Sequence, residues 1–233
     1  MNPRQHQDAL SPAQVFLTCA VADWDALGDH TLAGPEDVLR WERLRRRLGA
    51  FTWACSALEA RANEVQAEHG IPGRVRVPEA EWRTRPLQQR VGELVGEREM
   101  SRRRQRLLRD VEEFRDAVLR PRPARFVEQL RLDDLGRAAP VLVESAAGQD
   151  RRYRPADLPG NPLNFGDGHL RTALLVLLEH VVLLDRRFER HNPLTARRGA
   201  GEVTAPAWFE ELRGGYQGPH AAYFQRIRPG PRS

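Results

Sequence analysis

Residues 41–65 read WERLRRRLGAFTWACSALEARANEV. Trp41, Leu44, Leu48, Phe51, Cys55, Leu58, Ala62 and Val65 recur at alternating steps of three and four. A helix turns once in about 3.6 residues, so these positions line one side of a helix as a bundle-type seam held for more than three heptads. The spacing predicts a helix from about Pro35 to Glu68, ended by HGIPG (69–73). Thr52, Ser56, Glu59 and Asn63 form a second, polar stripe beside the seam, at steps of four, three and four.

The remaining segments follow the same logic. Ser11-Pro12 reads as an N-cap with proline at the first helical position, so a helix is expected from there to about Leu27, broken at Gly28. A shorter helix is expected around 86–96. A third long helix starts near Ser101, carries Leu107, Val111, Phe114 and Val118 as its seam, and stops at Pro121 and Pro123. A brief helix is expected over 124–132. PVLVES and DRRYRP are expected to form a small hairpin across AAGQ, around 140–155. His169–Arg190 is apolar nearly all round and reads as a central buried helix, with Asp167 as a cap before it. A loop (191–204) and a short helix (205–213) complete the expected order. The reading is an all-α, single-domain helical bundle over 11–225. It has two long antiparallel helices and a buried C-terminal helix, with a flexible N-terminus (1–10) and a disordered basic tail (226–233).

Composition narrows the function classes. The chain has 233 residues, 40% hydrophobic and 30% charged, enough apolar content for a packed core. All 37 basic residues are arginine, so every positive side chain is a permanent planar fork suited to carboxylates and phosphates. The net charge of +5 permits nucleic-acid contact without demanding it. Cys19 and Cys55 fall on apolar helix faces and read as reduced, buried thiols. No His/Cys/Asp/Glu spacing matches a zinc helix, GNPLNFGDG lacks the context of a phosphate loop, and there is no G-x-S-x-G elbow. No metal or cofactor is expected. ALLVLLEHVVLL (173–184) is too short to span a bilayer, so a soluble, cytoplasmic protein with no membrane contact is expected.

The segment FTWACSALEARANEV resembles the long helix of HEPN-type proteins (higher eukaryote and prokaryote nucleotide-binding), where small and apolar residues lead to a Glu and then an Asn four later. Here these are Glu59 and Asn63. The later helix end RDAVLRPRP resembles the family's Arg-polar-x-x-x-His motif. Arg115 stands at the Arg, Asp116 where Asn is frequent, and Arg120 where His belongs. The resemblance covers about residues 11–130. It implies a helical bundle, often dimeric, whose active members cleave RNA without metal, many of them in toxin–antitoxin or phage-defence systems. Other members are inactive binding or scaffold domains.

The departure at Arg120 bears on the chemistry. Cleavage through the ribose 2′-hydroxyl needs a group that exchanges protons near neutral pH. Arginine keeps its proton, with a pKa above ~12. Arg115, Asp116 and Arg120 are therefore candidates for phosphate or RNA binding, and no catalytic residue is assigned. Against this stand structural readings: Asp116 and Arg120 as a surface i, i+4 pair, and Glu59, Asn63 and Arg115 as a polar group across the bundle. The spare histidines His169, His180 and His191 are the other sources of a base, with His180 reading first as a core histidine. SRRRQRLLR (101–109) is either an RNA contact or a solvated face neutralised by Glu97, Glu99 and Asp110. The expected function is a non-catalytic domain that binds a protein or RNA. The alternatives are a metal-independent ribonuclease with a non-standard site and a structural homodimer.

Overall fold

A computed structural model describes residues 11–28, 35–73, 77–120, 126–132, 138–144, 153, 155–188, 194–199 and 201–227. In chain order it contains α1 (Pro12–Leu27), α2 (Glu36–His69), α3 (Glu79–Thr84), α4 (Leu87–Val95), α5 (Arg102–Leu119), β1 (Phe126–Leu132), β2 (Ala138–Glu144), a 3-10 turn (Pro162–Asn164), α6 (Asp167–Arg187), β3 (Thr195–Arg198), β4 (Gly201–Thr204), α7 (Ala205–Gly214) and α8 (Ala221–Phe224). The fold is predominantly α, with two small hairpins as its described sheet structure.

Local sequence explains the helix ends. Ser11 caps α1 by accepting the N–H of Gln14, with Pro12 at the first turn. Ser101 caps α5 through the N–H of Arg104. The N–H of Gly70 closes α2 on the carbonyl of Gln66 with a φ of +68°, which glycine adopts without strain.

Cross-contacts set the directions. Ser11 donates to Glu64, Phe16 stacks on Trp53, and Arg46 donates to the Ala26 carbonyl, so α1 runs antiparallel to α2. Arg47 meets Asp167 and Arg61 meets Asp185, so α6 runs parallel to α2. Arg104 meets Glu179 while Phe114 meets Phe165, so α5 runs antiparallel to α6 and hence to α2. The core fills the space between them. Phe51, Leu58, Val65, Leu107, Val111, Phe114 and nearly every residue of α6 from Leu170 to Leu184 are buried.

Several expectations need correction. The seam of α2 is buried from Leu44 onward apart from the half-buried Leu48, but Trp41 is 61% exposed. The cause is reach. α1 ends level with Arg46 and α6 begins level with Arg47, so about three turns of α2, from Glu36, run past both. Residues 126–132 form strand β1, where a brief helix was expected. The hairpin joins β1 to β2, with Phe126 opposite Glu144 and Leu132 opposite Ala138, so PVLVE pairs with the segment before it; most of DRRYRP lies outside the described residues. Of DRRYRP, Tyr153 forms an isolated bridge to Leu158. The stretch 191–204, expected as a loop, contains the β3–β4 hairpin, which turns at Gly199 with φ +55°. At the expected disordered tail, Arg226 and Ile227 are placed: Ile227 is buried and its carbonyl accepts from Arg213 at 2.7 Å. Residues 1–10 and 228–233 lie outside the described residues.

Candidate functional site

The polar stripe of α2 meets three other helices at one place. Glu59 is the hub. Its Oε1 accepts from Nη2 of Arg90 on α4 at 2.6 Å, and its Oε2 accepts from Nη1 of Arg115 on α5 at 3.2 Å. One turn later, Asn63 Oδ1 accepts from Nη1 of Arg90 at 3.0 Å and from Nε1 of Trp82 on α3 at 2.9 Å. The result is a polar clasp in which α3, α4 and α5 are all fastened to α2.

Burial distinguishes the two arginines. The Arg90 side chain is 3% exposed and Arg115 17%. Arg115 also donates to Asp116, with Nη2 3.2 Å from Oδ1. Burial works against the charge of Arg115, but the acidic neighbours, Glu59 and Asp116 among them, override it and raise its pKa above the ordinary value. Cys55 lies in the same neighbourhood. Burial pushes its thiol far up, so it is a neutral packing residue and no nucleophile.

Arg120 is not part of this group. It is exposed at the C-cap of α5, where its backbone N–H donates to the Asp116 carbonyl at 2.9 Å. Its side chain makes no hydrogen bond or ion pair with a described residue. The expected Asp116–Arg120 surface pair is absent because Asp116 turns to Arg115 instead. The arrangement brings Glu59, Asn63, Arg115 and Asp116 together and leaves Arg120 outside.

Of the candidate histidines, the two that are described are engaged elsewhere. His180 is fully buried and its Nδ1–H donates to the Val176 carbonyl at 2.7 Å; burial holds its pKa below the usual imidazole value. His169 accepts the Gly166 N–H at 3.0 Å and stacks on Phe165. His191 lies outside the described residues.

Sequence reasoning missed Arg90 and Trp82. The spacing of Leu87, Arg90, Val91 and Leu94 did carry a signal, since it sets an arginine on the apolar face of a short helix. It also missed a second polar group. Glu179 on α6 is 1% exposed and accepts from Arg104 Nε at 2.5 Å and from the Tyr223 hydroxyl at 2.7 Å. A surface groove of about 300 Å³ opens beside the clasp, lined by Asn63, Gln66, Val77, Pro78 and Trp82 among others. Among the described residues no group of His, Cys, Asp and Glu could hold a metal ion, and no helix is long and apolar enough to cross a membrane. No family model, curated protein or solved structure matches the chain.

Proposed function

We propose that this chain is a non-catalytic, HEPN-like helical domain that works by binding a protein partner. One observation carries the reading: Arg115 is spent on Glu59 and Asp116, while Arg120, at the place of the family's histidine, stands apart in solvent. A phosphate reaching Arg115 would have to displace two carboxylates, and an arginine at 120 supplies no proton at neutral pH. The motif therefore acts as packing, and the family's role left to the fold is to bind. A place in a toxin–antitoxin or phage-defence system fits this reading.

The test is total-RNA integrity after overexpression of the parent chain and Arg115→Ala. The expected result is intact RNA in both. Cleavage by the parent that Arg115→Ala abolishes would establish the alternative, a metal-independent ribonuclease with a non-standard site.

A second reading, a homodimer, is favoured by the protruding start of α2. Val38 is 59% and Trp41 61% exposed, one helical turn apart, on a stretch that neither α1 nor α6 reaches. Two such faces pack isologously in a two-fold dimer. Light scattering on eluting protein then gives twice the chain mass for the parent and the single mass for Trp41→Ser.

A further inference from the structure

α5 has a second face that the clasp does not use. Arg102, Arg106 and Arg109 are exposed on its first half at helical steps of four and three, and Arg98 is exposed in the turn before it. The acids expected to neutralise them are largely engaged elsewhere. Asp110 is buried and accepts the Ala156 N–H at 3.0 Å. Glu99 lies 3.8 Å from Arg104, which itself turns inward to Glu179. What remains is Glu97, exposed before the helix, and Glu113, 3.8 Å from Arg109. Arg98, Arg102 and Arg106 make no side-chain hydrogen bond or ion pair with a described residue.

The placement also costs stability. The first turn of a helix is the positive end of its dipole, where a cation is unfavourable by roughly 0.3–1 kcal/mol. α5 has no acid in that turn, and it begins Arg102-Arg103-Arg104. Arg104 is answered by Glu179, but Arg98, Arg102 and Arg106 have no acidic partner among the described residues, a placement whose cost an external anion would offset.

We propose that this face docks double-stranded DNA through its phosphates. Three features select a duplex. The side chains are permanent forks that match phosphate oxygens. The face is the convex side of a helix, a shape the wide major groove of B-form DNA admits and the deep, narrow one of A-form RNA does not. Among the described residues, the rings beside this face are already engaged, which leaves bases of a single strand little to stack on. Tyr223 lies under the Arg103 guanidinium at 4.3 Å with its hydroxyl sunk on Glu179, and His220 Nδ1 is 3.2 Å from Arg103 Nη2. Gln105, the exposed amide on this face, donates to the Met100 carbonyl at 3.1 Å and is not free to read a base. Binding carried by phosphates is steep in salt.

Fluorescence anisotropy with a short labelled duplex DNA tests this, with single-stranded RNA and anionic phospholipid vesicles as parallel probes. The parent chain is compared with Arg102→Gln/Arg106→Gln/Arg109→Gln and with a control that removes the same charge elsewhere, Arg40→Gln/Arg43→Gln/Arg197→Gln. All six positions are exposed, and circular dichroism checks that each variant keeps its helices. The parent is expected to bind the duplex with a Kd of about 10⁻⁴–10⁻⁶ M at physiological salt. The α5 variant should weaken binding about tenfold or more and flatten the plot of log K against log salt by about 2.7, at ~0.9 per phosphate contact. The control should keep most of the parent's slope. Three results overturn the proposal: no duplex binding by the parent, an equal loss in the control, or tighter binding of RNA or vesicles than of the duplex. RNA integrity in cells does not depend on this face, so the proposed function and this site can fail separately.

Discussion

Arg90 and Arg115 meet at Glu59 while Arg120 stands outside the clasp, so three arginines with the same chemistry have three different surroundings. Arg90 is buried between Glu59 and Asn63, so Arg90→Ala should cost about 2 kcal/mol, discounted because Glu59 is partly exposed. Arg115→Ala should cost about 1 kcal/mol, since Arg90 still holds Glu59. Arg120→Ala should stay within ~0.5 kcal/mol. Urea denaturation of the three variants checks the order; an Arg120 variant as damaging as Arg90 would contradict it. Sequence could place Arg115 because it flanks a long seam, and flanking arginines need acids. It could not place Arg90, whose partner lies 31 residues away on another helix. His180 gives a pH signature. Burial lowers its pKa, so below its ordinary value of 6.5 the unfolded chain binds a proton that the native chain refuses. Its contribution is full above about pH 6.5 and is lost as the pH falls through it. His180→Leu should flatten that fall in denaturation curves taken between pH 7 and 5; an unchanged profile would assign the loss to other groups.

The helices were readable in proportion to their length and periodicity. α2, α5 and α6 carry seams of several turns, and α1 has its Ser-Pro cap. α3 is six residues long and has too little sequence to show a period. The hairpins were harder for definite reasons. In β1, apolar residues at 126, 127 and 130 suit a helix as well as a strand. In β2, Pro140 argues against a strand in general, but in a two-stranded sheet both strands are edges and the missing N–H is tolerated. The β3–β4 hairpin did carry a turn signal, the glycine at 199. The last element, α8, is only four residues long and is held by Tyr223 on Glu179 and by Phe224 in the core. Tyr223→Phe removes one donor from a buried carboxylate and should cost about 1–3 kcal/mol. Arg104→Met strips the charge partner and should cost about 3–5 kcal/mol. Thermal or urea unfolding gives the ranking, and a silent Arg104 variant would contradict it.

Across the molecule, α2 is the shared support. α1 packs on it over most of its length, α6 runs along it, and α3, α4 and α5 are fastened to it through Glu59 and Asn63. The length of its seam marked α2 as a long bundle helix, not as the shared support. It did not indicate where α2 outruns its neighbours, because that depends on where other helices end. The parallel course of α2 and α6 has a consequence during synthesis. Arg61 finds Asp185 only after 124 further residues have been made. At ~5–20 residues per second the apolar face of a finished α1–α2 pair waits about 6–25 s for its cover. A nascent chain stopped before residue 167 should therefore bind a hydrophobic dye and a chaperone that the full chain ignores. For the cell, the vulnerable form of this protein is the one still on the ribosome.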